Sequence, residues 1–239
     1  MNCKICLVVS LAILLFLNAC SKEKIVIPIA PSFPADTTNP VAKTWLALGD
    51  SYTIGTSVMP AENYPLQTTQ MLAASGVKML PPKIIAINGW TTGNLIAALN
   101  ANAPGNNFDM LSLLIGVNNQ YQGRSQQEYK TEFTLLLNRA IEYAGGRKNR
   151  VFVLSIPDYS VTPFAQNLDV ASIAKEIDEF NAINKEVSLQ TGVKYIDITP
   201  ISRQGKSDGS LQASDGLHPS GKQYGLWAAL SAPIMKAAL

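Results

Sequence analysis

From residue 43 onward the chain alternates short, continuous apolar runs with longer stretches of helical periodicity, and this alternation constrains the fold more than any other feature. Runs at 44–48, 83–88, 110–116, 151–156 and 193–198 read as five strands. Most are hydrophobic throughout, as expected of a sheet covered on both faces. The clearest helix opens at Ser125-Gln126-Gln127-Glu128, which has the spacing of a capping box. Tyr129, Phe133, Leu136, Leu137, Ala140, Ile141 and Ala144 then fall on one stripe, ended by Gly145-Gly146. A second pattern covers 171–191, with Ile173, Ile177, Phe180 and Val187 facing inward. The last begins near Gly221 and is expected to bury Trp227, Leu230, Ile234 and Ala238, with Pro233 kinking or splitting it. Strand-helix alternation of this kind builds a parallel sheet between two helical layers, a three-layer α/β/α sandwich. No internal repeat or second domain is visible. In such a sheet, chemistry collects in loops at the carboxyl ends of the strands.

Composition removes several function classes. Lysine and arginine number 19 against 17 acidic residues, a net charge of +2, so nothing points to a nucleic-acid partner. The single histidine is His218, and the three cysteines are Cys3, Cys6 and Cys20. A metal site rich in His and Cys is therefore not expected, no acidic cluster suggests another, and no cofactor is implied.

The amino-terminal segment reads as an address. An almost wholly apolar run at 5–17 has the length of a signal-peptide core and is short for a bilayer span. It ends in Leu17-Asn18-Ala19-Cys20, which resembles a bacterial lipobox, where cleavage before the cysteine leaves that residue as the lipidated first one. Residues 1–19 are accordingly expected to be a lipoprotein signal peptide. Residues 20–42 would form the lipidated Cys20 and a tether rich in proline (Pro28, Pro31, Pro34, Pro40). Loss of Cys3 and Cys6 would leave no pair for an intramolecular disulfide. Several acyl chains on Cys20 would give durable anchoring. Ser21 in place of Asp after the cysteine suggests the outer membrane, on its periplasmic or surface face.

Four loops carry candidate chemistry. Gly49-Asp50-Ser51 follows the first strand, where a serine at a tight strand-to-helix turn is exposed and close to backbone amides. Asn88-Gly89-Trp90-Thr91-Thr92-Gly93 follows the second strand and Gly116-Val117-Asn118-Asn119 the third. Asp215-Gly216-Leu217-His218-Pro219 follows the fifth. Gly205-Lys206-Ser207-Asp208-Gly209 mimics a G-x-S-x-G elbow, but it lies in a polar stretch without a strand before it.

Together, in this order, these blocks resemble the SGNH hydrolases, also called GDSL esterases and lipases, from Gly49 to Pro219. Tyr52 stands where the leucine of the GDSL name would be, and Asn119 where the third block usually ends in Asp. The resemblance implies a flavodoxin-like SGNH hydrolase domain over 43–239. It gives Ser51 as nucleophile, His218 as base and Asp215 as its orienter. Ser51, Gly89 and Asn118 would supply the oxyanion hole.

The residues support the same chemistry directly. Serine needs a base at neutral pH, and with one histidine any Ser–His mechanism must use His218. A carboxylate on Nδ1 would fix the ring's tautomer; Asp215 is three residues away, and Asp208, ten away, has no specified orientation toward it. Tyr159, Phe164 and Trp90 are expected pocket walls. The expected activity is that of a serine esterase or acylhydrolase acting on lysophospholipid, short-chain acyl or acetylated carbohydrate esters. An acyltransferase would use the same groups. The rival reading is a non-catalytic surface lipoprotein that uses the fold to bind a glycan or partner.

Overall fold

The computed structural model describes residues 42–239. The expected signal peptide, Cys20 and all but the last residue of the expected tether lie outside the described residues. Among the described residues five strands form one sheet: β1 (Trp45–Gly49), β2 (Lys83–Ala86), β3 (Met110–Leu114), β4 (Val151–Leu154) and β5 (Lys194–Ile196). Every neighbouring pair is parallel, in the order β2-β1-β3-β4-β5. This is the flavodoxin-like α/β order. β1, β3 and β4 are buried along their whole length, which explains their unbroken apolar character.

The helices are α1 (Ser51–Ile54), α2 (Tyr64–Ala74), α3 (Thr92–Ala101), α4 (Val117–Tyr121), α5 (Gln126–Tyr143), α6 (Val170–Thr191), α7 (Thr199–Arg203) and α8 (Gly221–Lys236). The chain moves from β1 to β2 in one direction and from β2 to β3, β4 and β5 in the other. Right-handed crossovers then place α2 and α3 on opposite faces. α8 returns to pack along α2, while α3, α5 and α6 lie side by side. On the α2/α8 face, Trp45 and Tyr64 share the Ser112 hydroxyl at 3.1 and 3.0 Å, and Trp227 stacks obliquely on Tyr64. Truncating a fully buried leucine such as Leu46 or Leu113 would cost about 2–5 kcal/mol.

Two helices differ instructively from expectation. Ser125 caps α5 by accepting the Glu128 amide at 3.1 Å, and the stripe Tyr129, Phe133, Leu136, Leu137, Ala140 and Ala144 is buried; Ile141 is only half-buried. α8 runs unsplit through Pro233. Pro233 and Ala229, whose carbonyl loses its partner, both face solvent, so water can satisfy that oxygen. Leu230 is 37% exposed, not buried. The inward stripe is Tyr224, Trp227, Ala228, Ser231 and Met235, on a helix that packs along α2.

Polar side chains inside the helical layer finish the strand ends. Asn181 of α6 accepts the Ile156 amide at 2.7 Å and donates to the Ile156 carbonyl at 2.9 Å, acting as a substitute strand partner beyond β4. The Tyr129 hydroxyl donates to the Ile115 carbonyl at 3.1 Å just past β3. These bonds pair the Ile156 amide and carbonyl and the Ile115 carbonyl just past the strand ends.

Candidate active site

β1 lies between β2 and β3 in level register: Gly49 pairs with Ala86 on one side and Leu114 on the other. The loops that follow three adjacent strands therefore leave the sheet at the same height. Ser51, Gly89 and Asn118 sit two, three and four residues beyond those paired positions. Their convergence is a consequence of register at the point where strand order reverses. Gly49 is required here, because a Cβ would collide with Thr53 and with the Leu114 carbonyl. Gly89 has open space around it but φ +77°, so its backbone, not its size, calls for glycine.

Ser51 is the first residue of α1 and is 5% exposed. Its amide has no acceptor within the helix. Asp50 caps the turn by accepting the Tyr52 amide at 3.0 Å. Its other carboxylate oxygen is buried without a partner. Burial pushes the Asp50 carboxyl from 3.8 up to about 7, against the pull of the Tyr52 amide. Tyr52 is buried beside the site and meets the His218 ring edge-on at 5.6 Å. Its phenol is held far above the usual range by burial, reinforced by the Asp50 charge.

His218 Nδ1 and Asp215 Oδ2 are 2.6 Å apart, with the His218 side chain 13% exposed. Asp215 Oδ1 accepts the Leu217 and His218 amides at 2.9 and 3.0 Å. Its Oδ2 also accepts the Ser57 hydroxyl at 2.5 Å. Partial burial works against the Asp215 charge, but the Ser57 hydroxyl, the His218 ring and the two amides hold its carboxyl well below the usual range. Asp208, the other nearby acid, is engaged instead by Lys222 at 2.8 Å and by Ser210. No hydrogen bond joins Ser51 Oγ to His218, although both line one cavity; such contacts often tighten only in the substrate complex.

That cavity has a volume of about 300 Å³ and brings Ser51, Gly89, Asn118 and His218 together. Asn118 Nδ2 donates to the Trp90 carbonyl at 2.9 Å, which aims the amide and leaves its second N–H for the cavity. Asn119 is fully buried and does not face the cavity. It accepts the Thr92 amide at 2.9 Å and donates to the Thr92 hydroxyl at 2.6 Å; that hydroxyl in turn donates to Glu132. An asparagine here thus ties the loop after β3 to the loop after β2, with Thr92 and Glu132 completing the chain of bonds.

The walls are Tyr159 and Phe164 as expected, but Trp90 does not line the cavity; its carbonyl orients Asn118 instead. Tyr121 of α4 takes the third aromatic position, its ring 6.2 Å from Tyr159 and 6.1 Å from Phe164. Its position two residues past the Gly116–Asn119 block was the one available signal. The Gly205–Gly209 stretch lies in short 3-10 turns, with the Ser207 hydroxyl donating to the Gln204 carbonyl.

A family model described as GDSL-like Lipase/Acylhydrolase matches residues 47–226. Among solved structures, the lipase/acylhydrolase from Enterococcus faecalis aligns with a TM-score of 0.66 at 18% identity, covering 82% of this chain and 96% of its own. TesA aligns with a TM-score of 0.64 at 18% identity, covering 82% and 100%. Axe2, an acetylxylan esterase from Geobacillus stearothermophilus, gives 0.62 at 18%, covering 82% and 95%. A search of curated protein sequences returns no match.

Proposed function

The chain belongs to the GDSL-like lipase/acylhydrolase family and is an ester hydrolase, and from that premise we propose that it works through a Ser51–His218–Asp215 triad and an acyl-enzyme. The observation that carries this reading is the 2.6 Å Asp215–His218 bond on the cavity that also holds Ser51. With Nδ1 committed to Asp215, His218 Nε2 is the free acceptor. It takes the Ser51 hydroxyl proton as Oγ attacks the ester carbonyl. The oxyanion is received by the Ser51 and Gly89 amides and the second N–H of Asn118. His218 then gives its proton to the leaving alcohol oxygen as the C–O bond breaks. Water repeats the sequence on the acyl-enzyme and releases the acid.

The cavity's size, at the lower end for small-molecule sites, favours a short acyl group or an acetyl on a sugar over a long chain. Tyr121, Tyr159 and Phe164 form the wall against which that group or its ring packs. An acetylxylan esterase and a lipase/acylhydrolase share the fold, so both substrate classes belong in the test. Hydrolysis of p-nitrophenyl esters from acetate to palmitate is expected to peak at short chains. A peak at long chains would overturn the short-acyl assignment, and undiminished turnover by Ser51→Ala would overturn the nucleophile.

The proposal extends to location. Cleavage before Cys20 and acylation of its thiol would hold the hydrolase at the outer membrane. Among the described residues no helix is long and apolar enough to cross a membrane. Mass spectrometry of the native amino terminus is expected to find an acylated Cys20; a free start at another residue would refute the anchor.

A further inference from the structure

Ser57 is one of two non-glycine residues with positive φ among the described residues, at +65°. A serine rarely takes this conformation unless its surroundings hold it there. Here the exposed turn after α1 directs the Ser57 hydroxyl onto Asp215 Oδ2 at 2.5 Å, the short distance of a hydroxyl donating to a carboxylate. A carboxylate offers about four acceptor sites, and those of Asp215 are all taken. Three donors, the Leu217 and His218 amides and the His218 ring, come from its own loop. Only Ser57, 158 residues away, reaches it from elsewhere.

The turn holds a second contact of the same kind. The Thr56 hydroxyl donates to Asn88 Oδ1, next to Gly89. Thr56 is itself held by its amide bond to the Ser51 carbonyl at 3.1 Å. Residues 56 and 57 therefore connect the loop that carries Ser51 to the oxyanion loop and to the acid loop. Resting on the triad proposed above, we propose that Ser57 is a positioning residue: by anchoring Asp215 to the Ser51 loop, it fixes the His218 ring relative to the nucleophile.

The test uses Ser57→Gly in the full chain, because glycine accepts φ +65° without strain while the hydroxyl is lost with the rest of the side chain. Ser57→Ala keeps the backbone strain and serves as the companion variant. Since the sequence has one histidine, a low-field proton resonance from the Asp215-bound imidazole needs no assignment. In wild type this resonance is expected to be sharp. In both variants it should broaden through water exchange at least about tenfold faster, while kcat toward p-nitrophenyl acetate falls about tenfold with KM within about twofold. The melting temperature of Ser57→Gly should not fall. A resonance unchanged in both variants overturns the proposal whatever the kinetics do, and so does a Ser57→Gly kcat within twofold of wild type. A sharp wild-type resonance that broadens in the variants, without esterase activity in any of them, would uphold the positioning role and overturn the hydrolytic reading instead.

Discussion

Asp50 and Asp215 flank the proposed active site, and their surroundings push the same side chain in opposite directions. Asp215 is partly exposed, meets four donors and is held well below the usual carboxylate range. Asp50 lies one residue before Ser51, is fully buried, meets one amide and leaves an oxygen without a partner, so its carboxyl rises to about 7. The difference shows that donor count and burial, not closeness to Ser51, decide which acid can stabilise an imidazolium. Asp215 is built to stay ionised. Asp50 is built to cap α1.

The strongest way to break the contrast is to remove the charge from Asp215. Asp215→Asn is expected to lower kcat by about 10³–10⁴, because the amide favours the wrong tautomer of His218. Steady-state kinetics check it; a loss under tenfold would assign the orienting role elsewhere. Asp50→Asn should do the reverse and act on stability. A carboxyl with a raised folded-state pKa is not penalised below pH 3.8, where both states are protonated, and the folded state loses stability as pH rises from there to about 7. The loss levels off above that at about 4 kcal/mol as an upper figure. Asn keeps the capping oxygen, so urea unfolding should show this pH slope in wild type and not in the variant.

Asn118→Ala sharpens the comparison within the loop after β3. It should lower kcat by roughly 10²–10³ with little change in KM, since the amide acts on charge that develops during attack. Near-wild-type kcat with intact circular dichroism would make Asn118 a loop cap. Asn119→Ala should register mainly as stability, a loss of about 1–3 kcal/mol in urea, because it strands the buried Thr92 amide. An unchanged unfolding midpoint would contradict that account.

What could be read from the chain followed from local rules. Buried strands in a parallel sheet must be apolar on both faces, so 44–48, 110–116 and 151–156 stood out; the last two residues of the latter two runs belong to the departing loops, whereas β1 continues one residue past its run to Gly49. Ser51 could be singled out because its short block directly follows a strand, and Asp215 and His218 because they share one short block, although that block lies just before α8 and well past the end of β5. Residues that act across the fold left no such mark. Ser57 meets Asp215 only after 158 residues have folded between them. Asn181 replaces a strand partner from inside a helix, and nothing in the local periodicity marks it for that role. Leu230 was misassigned because hydrophobic periodicity ranks leucine above Ser231, whereas the register of α8 turns Ser231 inward and leaves Leu230 37% exposed.

The central claim is that Ser51 forms the acyl-enzyme. Incubation of the full chain with diethyl p-nitrophenyl phosphate, followed by peptide mass spectrometry, tests it directly, since an activated serine is trapped as a stable phosphoester. The expected result is one diethylphosphoryl group on the peptide carrying Ser51, loss of ester hydrolysis in step with labelling, and no label on Ser51→Ala. Labelling at another residue, or no labelling while ester hydrolysis continues, would contradict it.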